Sequence, residues 1–149
     1  MSNPDIEIRR MRQEDLDRVS QIENDCFTIP WSRQAFADML ESDNAIYMVA
    51  VCNGRVVANC GVIAAAGEGD ICNVATDCAY RKRGIAKLLV KKVMDEAKEN
   101  LGVNEFTLEV RAGNTPAIKL YEKLGFISEG IRPGFYSNPK EDAVIYWKR

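Results

Sequence analysis

The chain has no histidine in its 149 residues, and that absence removes more chemistry than any other. Ser-His-Asp and Cys-His catalysis, histidine metal ligands and a histidine general base are all excluded, so any reaction must use Glu, Asp, Tyr, Cys, Lys or the backbone. Long apolar runs are missing too. Nothing approaches the roughly 18 residues of a membrane span, and residues 1–7 lack the basic flank and apolar stretch of a secretory leader. These absences predict a cytoplasmic protein with no membrane partner. Positive charge is not in excess either: Lys and Arg number 20 against 22 Asp and Glu, a net charge of -2, which argues against a nucleic-acid partner. The cysteines, Cys26, Cys52, Cys60, Cys72 and Cys78, are odd in number and include no C-x-x-C pair. Their mostly apolar settings predict reduced thiols and no metal site. Neither G-x-x-x-x-G-K-S/T nor G-x-G-x-x-G occurs, so P-loop and dinucleotide-binding readings fail.

What is present is a single domain's worth of apolar residues. At 46% hydrophobic content, residues 1–149 can bury about 70% of their unfolded surface in one core. Ile6, Ile8 and Arg10 alternate with charged neighbours as a first, edge strand. Leu16, Val19, Ile22 and Cys26 then recur at helical spacing, and Ser32 is placed to cap a second helix carrying Phe36, Met39 and Leu40. Residues 45–52 and 55–65 read as strands joined by Asn53-Gly54, a type I′ hairpin signal. Gly67-Glu68-Gly69-Asp70 reads as a turn and 71–76 as the next strand. A helix after Gly84 places Ile85, Leu88, Leu89, Val93 and Ala97 on one face and stops near Gly102. A fifth strand at 106–111, a helix at 115–124 with Pro116 in its first turn, and strands at 126–130 and 143–147 complete the chain. This order predicts a mixed α/β (α+β) fold: a central, mostly antiparallel sheet of about seven strands flanked by about four helices.

Between the fourth strand and its helix lies Arg81-Lys82-Arg83-Gly84-Ile85-Ala86. The first N–H groups of a helix have no intrahelical partner and sit at the positive end of its dipole, so a basic turn here suits a phosphate, and Gly84 lets the backbone come close. Further on, Leu108-Glu109-Val110-Arg111-Ala112-Gly113-Asn114-Thr115-Pro116-Ala117-Ile118-Lys119-Leu120-Tyr121-Glu122 carries a strand through a short loop into a helix. Together the two segments resemble the acyl-CoA site of the GNAT N-acetyltransferase family. The Leu-Glu-Val-Arg strand, Asn114, the Ala-Ile-x-Leu-Tyr-Glu helix, Phe27-Thr28-Ile29-Pro30-Trp31-Ser32 and Glu141-Asp142-Ala143 are most similar to its RimI-type ribosomal-protein N-terminal acetyltransferases. The likeness covers nearly the whole chain, in the family's order.

That resemblance implies acetyl-CoA as co-substrate, no metal, and a seven-strand GNAT fold. It implies that Val74 and Thr76 on the strand, the turn residues Arg81, Lys82, Arg83, Gly84, Ile85 and Ala86, and Asn114 and Tyr121 hold acetyl-CoA. Glu109 would be the general base and Tyr121 the general acid, with Trp31, Arg132 and Tyr136 lining a peptide groove. The residues themselves leave alternatives open. Val74 is either an oxyanion donor or an ordinary strand residue with its N–H in the ladder. Asn114 either bonds the pantetheine arm or caps the helix. Glu109 is either a base or the ion-pair partner of Arg111, and Tyr121 either an acid or a core aromatic. The 27–31 connection is either a packed anchor for Trp31 or a wall of the substrate site. Two positions depart from the family pattern: Phe135 precedes Tyr136 where a Tyr-Tyr pair is usual, and Ala86 stands where Gly is common. The first puts peptide positioning in doubt; the second leaves room enough for CoA.

The implied activity is acetyl transfer to a protein N-terminal α-amine, that of alanine on a small-subunit ribosomal protein, by direct attack in a ternary complex. Rival acceptors are lysine or a small-molecule amine such as an aminoglycoside, for which only Glu141 and Asp142 hint at an acidic pocket. From another class, a non-catalytic acyl-CoA-binding module would have no use for both Glu109 and Tyr121. Cys72 or Cys78 as a covalent nucleophile lacks a histidine to activate it.

Overall fold

The computed structural model describes residues 6–149, so most of the stretch read for a leader lies outside the described residues. Seven strands form one sheet: β1 (Ile6–Arg10), β2 (Ala45–Cys52), β3 (Arg55–Ala65), β4 (Glu68–Thr76), β5 (Glu105–Arg111), β6 (Ile127–Tyr136) and β7 (Glu141–Lys148). Four helices flank it: α1 (Leu16–Cys26), α2 (Arg33–Glu41), α3 (Ile85–Leu101) and α4 (Thr115–Lys123). This is the expected α/β architecture. The order is β1-β2-β3-β4-β5-β7-β6, which puts β1 at an edge as anticipated.

β2 explains why its sequence reads as unbroken apolar residues. Ile46, Met48, Ala50 and Cys52 point into one core with α3, while Tyr47, Val49 and Val51 point into the other with Leu16, Val19, Ile22 and Phe36 of α1 and α2. A strand covered on both faces has no polar side to present. At the β2–β3 turn both Asn53 (φ 51°) and Gly54 (φ 78°) are left-handed, as a type I′ hairpin requires. Ser32 caps α2, its hydroxyl accepting from the Ala35 N–H at 3.1 Å.

Three expectations are corrected. The turn before β4 is Ala66-Gly67, at φ 52° and 82°, and the strand already begins at Glu68. Gly69 sits inside β4 because a Cβ there would lie 2.9 Å from Val62 and 3.0 Å from Phe106. On α3 the buried stripe runs through Ile85, Leu89, Val90, Val93, Met94 and Ala97, which turns Leu88 outward at 50% exposure. β6 continues past Gly130 to Tyr136, so Arg132 and Tyr136 are strand residues rather than loop residues.

Every neighbouring pair in the sheet is antiparallel except β4 and β5. These two are joined through the long α3 crossover, which makes them parallel. They pair only at Glu68–Glu105, Gly69–Phe106 and Asp70–Thr107. Beyond that point each continues for several residues without the other.

Candidate active site

The divergence of β4 and β5 opens a cavity of about 760 Å³. Val74 from β4, Glu109 from β5, Asn114 at the cap of α4, Tyr121 from α4, Trp31 from the α1–α2 connection and Tyr136 from β6 all line it. Six of the residues singled out from the sequence therefore meet at one place. Val74 lacks a pairing partner on either side: Asn73 and Val74 fall in a register break between Gly61–Cys72 and Asn59–Ala75, and β5 has already parted. Asn73 is left-handed (φ 57°). Such a bulge frees a peptide group to face the cavity.

Glu109 is half-buried, and Arg132 Nε lies 2.9 Å from its Oε2 without the alignment of a hydrogen bond. That oxygen is buried and has no hydrogen-bond partner among the described residues. Glu109 is not paired with Arg111. The Arg111 guanidinium is taken up by the β6–β7 turn, donating to Pro139 O at 2.9 Å, Ser137 O at 3.0 Å and Glu141 at 3.2 Å, and lying over the Tyr136 ring. Arg132 does not itself line the cavity; it reaches the site through Glu109.

Tyr121 is 6% exposed and packs edge-on against Phe126, centroids 5.9 Å apart. Its hydroxyl makes no hydrogen bond among the described residues. Burial pushes the phenol well up from its usual range, and Cys60 and Tyr136 add to the shift. It therefore holds its proton at neutral pH. Asn114 does cap α4, accepting from the Ala117 N–H at 3.3 Å, while still lining the cavity. Trp31 is packed as an anchor, its ring tilted against Phe36 and Tyr47 with centroids 5.4 Å and 6.5 Å away, and it also lines the cavity. Burial raises the Cys72 thiol to about 12, helped by Asp70 and Glu23, so it is an unreactive thiol at neutral pH.

Thr76 and the turn 81–86 lie farther along the chain than the cavity's β4 wall and do not line it. Gly84 (φ 77°) caps the start of α3 with no side-chain bond, and nothing stands within 4 Å of where its Cβ would be. Lys82 is left-handed as well (φ 64°). Ile85 is 3% exposed, so only its backbone is free to face a ligand. Arg81 turns back, donating to Thr76 O at 3.1 Å and to Cys26 Sγ at 3.4 Å, and Arg83 lies over the Tyr80 ring. Lys82 is exposed and Ala86 partly so.

Comparison with known proteins agrees with this geometry. The model of the Acetyltransferase (GNAT) family matches residues 16–126. The chain belongs to the GNAT acetyltransferase family. An Escherichia coli (strain K12) relative named [Ribosomal protein bS18]-alanine N-acetyltransferase is 33% identical over 140 residues, 93% of this chain and 93% of that protein. A Bacillus subtilis (strain 168) relative is 36% identical over 141 residues, covering 94% and 93%, and carries the same name provisionally. The crystal structure of the ribosomal-protein-S18-alanine N-acetyltransferase from Escherichia coli superposes with TM-score 0.85 at 31% identity, covering 95% of this chain and 92% of that one.

For a GNAT acetyltransferase the donor is acetyl-CoA, and the chain's features fit it. An unpaired strand edge at 71–76 offers backbone groups to an extended amide-bearing arm, and an uncapped helix start beside two left-handed residues offers N–H groups to phosphates. Two acidic residues at this GNAT site escaped the sequence reading. Glu23, 2% exposed, accepts the Trp31 N–H at 2.9 Å and the Asn73 side-chain N–H at 3.0 Å. Burial pushes its carboxyl up. Asp70 also lines the cavity, its carboxyl raised by burial and then by Glu109, with Arg132 opposing. Glu23 is buried on α1 with Leu16, Val19 and Ile22, and its helical spacing from Leu16 and Val19 was the one signal that could have found it.

Proposed function

We propose that the protein transfers the acetyl group of acetyl-CoA to the N-terminal α-amine of a protein in the cytoplasm. The substrate named for its relatives, the N-terminal alanine of ribosomal protein bS18, is the acceptor proposed for this chain as well. The observation that carries this reading is the meeting of Glu109 and Tyr121 across one cavity walled by Trp31 and Tyr136. A carboxylate and a phenol lining one cavity suit the two proton movements of amide formation. The incoming ammonium must lose a proton, which Glu109 accepts at its carboxylate, directly or through water. The departing thiolate must gain one, which the Tyr121 hydroxyl supplies at sulfur. The Val74 N–H, which has no strand partner, would donate to the thioester oxygen as charge develops there.

The chemistry also favours an α-amine over lysine. Near pH 7 about a tenth of an N-terminal amine is already neutral, against well under a thousandth of a lysine side chain, so a single carboxylate has far less work to do with the former.

The test is a panel of acceptors: peptides beginning with Ala or another small residue, the same peptides blocked at the N-terminus but containing lysine, free lysine and an aminoglycoside, with CoA release followed for each. The free-N-terminal Ala peptides should react fastest. Faster turnover of a blocked lysine peptide or of the aminoglycoside would move the acceptor to that class, and no CoA release from any of them would leave a binding module.

A further inference from the structure

The buried carboxylate of Glu23 belongs to neither proton movement, yet it accepts hydrogen bonds from two segments behind the site. It lies in the last turn of α1 among apolar neighbours, one of the largest fully buried side chains in the molecule. Its Oε2 alone accepts both hydrogen bonds: one from the backbone of Trp31 on the acceptor wall, one from the side chain of Asn73 on the β4 bulge. Oε1 is buried with no partner. Burying a carboxylate is costly, and a Gln or an apolar residue would fill the space more cheaply if packing alone were needed. What the carboxylate does is join the two segments by hydrogen bonds to a single oxygen. The bulge has no strand partner at Asn73 or Val74, so the sheet does not fix the direction of the 73–74 peptide.

We infer that Glu23 is a positioning residue, aiming the Val74 N–H at the thioester oxygen through Asn73 while holding Trp31 against the same cavity. This rests on the acetyl-transfer reading above, with Val74 as the oxyanion donor. A small misplacement of such a donor costs rate while ground-state binding survives, so the effect belongs in kcat.

The test uses three variants of the whole chain. Glu23→Leu keeps the volume and removes both acceptors. Glu23→Gln keeps one oxygen able to accept both bonds. Asn73→Gly tolerates the left-handed backbone and removes only the donor on the bulge. Activity is measured on whichever amine the parent enzyme turns over best, with acetyl-CoA affinity measured separately by calorimetry. Glu23→Leu should lower kcat about 100-fold with acetyl-CoA affinity within about twofold of the parent. Glu23→Gln should recover at least about a third of the parental kcat, and the Glu23→Leu/Asn73→Gly double variant should be no slower than the slower single variant. In parallel, Glu23→Leu should speed hydrogen exchange of the Trp31 amide without changing exchange in β2 and β3, a readout that needs no acceptor.

Parental kcat in Glu23→Leu, or an effect in KM alone, would overturn the inference. If Glu23→Leu fails to fold, Asn73→Gly decides: parental kcat there sinks the idea just as surely. A different preferred amine would remove the proposed acceptor and leave these outcomes readable. A parent that turns over no amine would sink the acetyl-transfer reading, and with it the role given to Val74. The exchange arm would then report only whether Glu23 holds the wall, and slow Trp31 exchange in Glu23→Leu would deny it even that.

Discussion

The roles proposed for Tyr121 and Glu109 are opposite halves of the proton traffic, and small side-chain changes separate them. Tyr121→Phe keeps the edge contact with Phe126 and removes only a hydroxyl that has no hydrogen-bond partner among the described residues, so it should not cost stability. It should lower kcat by roughly 10²–10⁴-fold and leave acetyl-CoA affinity unchanged. Because burial holds the phenol well above its usual range, the parent should show no loss of activity from Tyr121 ionisation below about pH 10. Glu109→Gln should instead steepen the rise of rate with pH, since only amine already neutral in solution can then attack; activity should climb until the amine's own pKa near 8 is passed. Parental kcat in the first variant, or an unchanged profile in the second, would return that residue to a structural role. The motif pointed to both residues, and the fold brings both to one cavity. The partner of Glu109 was not: residues two apart on a strand share a face, which suggested Arg111, but the β6–β7 turn claims that guanidinium and leaves Arg132 opposite. Glu23 was hidden for a different reason. A charged residue beside Ile22 reads as solvated surface until the fold brings Trp31 and Asn73 against it.

At the scale of the element, the start of α3 is where backbone is proposed to serve as the binding group. Gly84 takes a left-handed conformation with open space around its Cα, so a side chain there meets no protein atom. Gly84→Asp therefore costs about 1–2 kcal/mol, the penalty of a left-handed backbone for a residue that carries a Cβ. It does place a negative charge where phosphates should sit. The variant should fold, with acetyl-CoA binding weakened by at least tenfold in calorimetry, and an unchanged affinity would remove the turn from the site. Elements with local signals were readable in this way: the Asn53-Gly54 turn, the Ser32 cap and the Gly102 stop are each decided by residues within a few positions. Gly69 and β6 were not. Gly69 was read as a turn because two glycines flank an acid, whereas what requires glycine there is the Phe106 ring and Val62 pressing on its Cα from other strands. Gly130, Pro133 and Gly134 signal a loop, yet β6 is an edge strand, where bulges and a missing donor are tolerated; its register breaks fall at 128–130 and 132–136.

Taken as a whole, the sheet is two pieces meeting at a seam. β1 to β4 form one, β5 to β7 the other, and between them the strands hold only three paired positions before the cavity opens. Acetyl-CoA placed along 71–76, with its phosphates at 81–86, would contact the first piece and, through Asn114 and Tyr121, the second. Such a ligand acts as a clasp, and its binding free energy adds to the stability of the folded state alone. At a concentration a hundredfold above its Kd the gain is about 2.7 kcal/mol. For a chain of this size that corresponds to a rise in Tm of about 5–11 °C, measurable by calorimetry or dye fluorescence. Acetyl-pantetheine at the same concentration lacks the phosphates that α3 should hold and should raise Tm far less. Hydrogen exchange resolves the geometry: protection should grow at 71–76, at 84–87 and at the start of α4, and not in β1, which is far from the seam in strand order. An unchanged Tm under saturating acetyl-CoA, or protection confined to β1 and β2, would deny that the seam is where the donor binds.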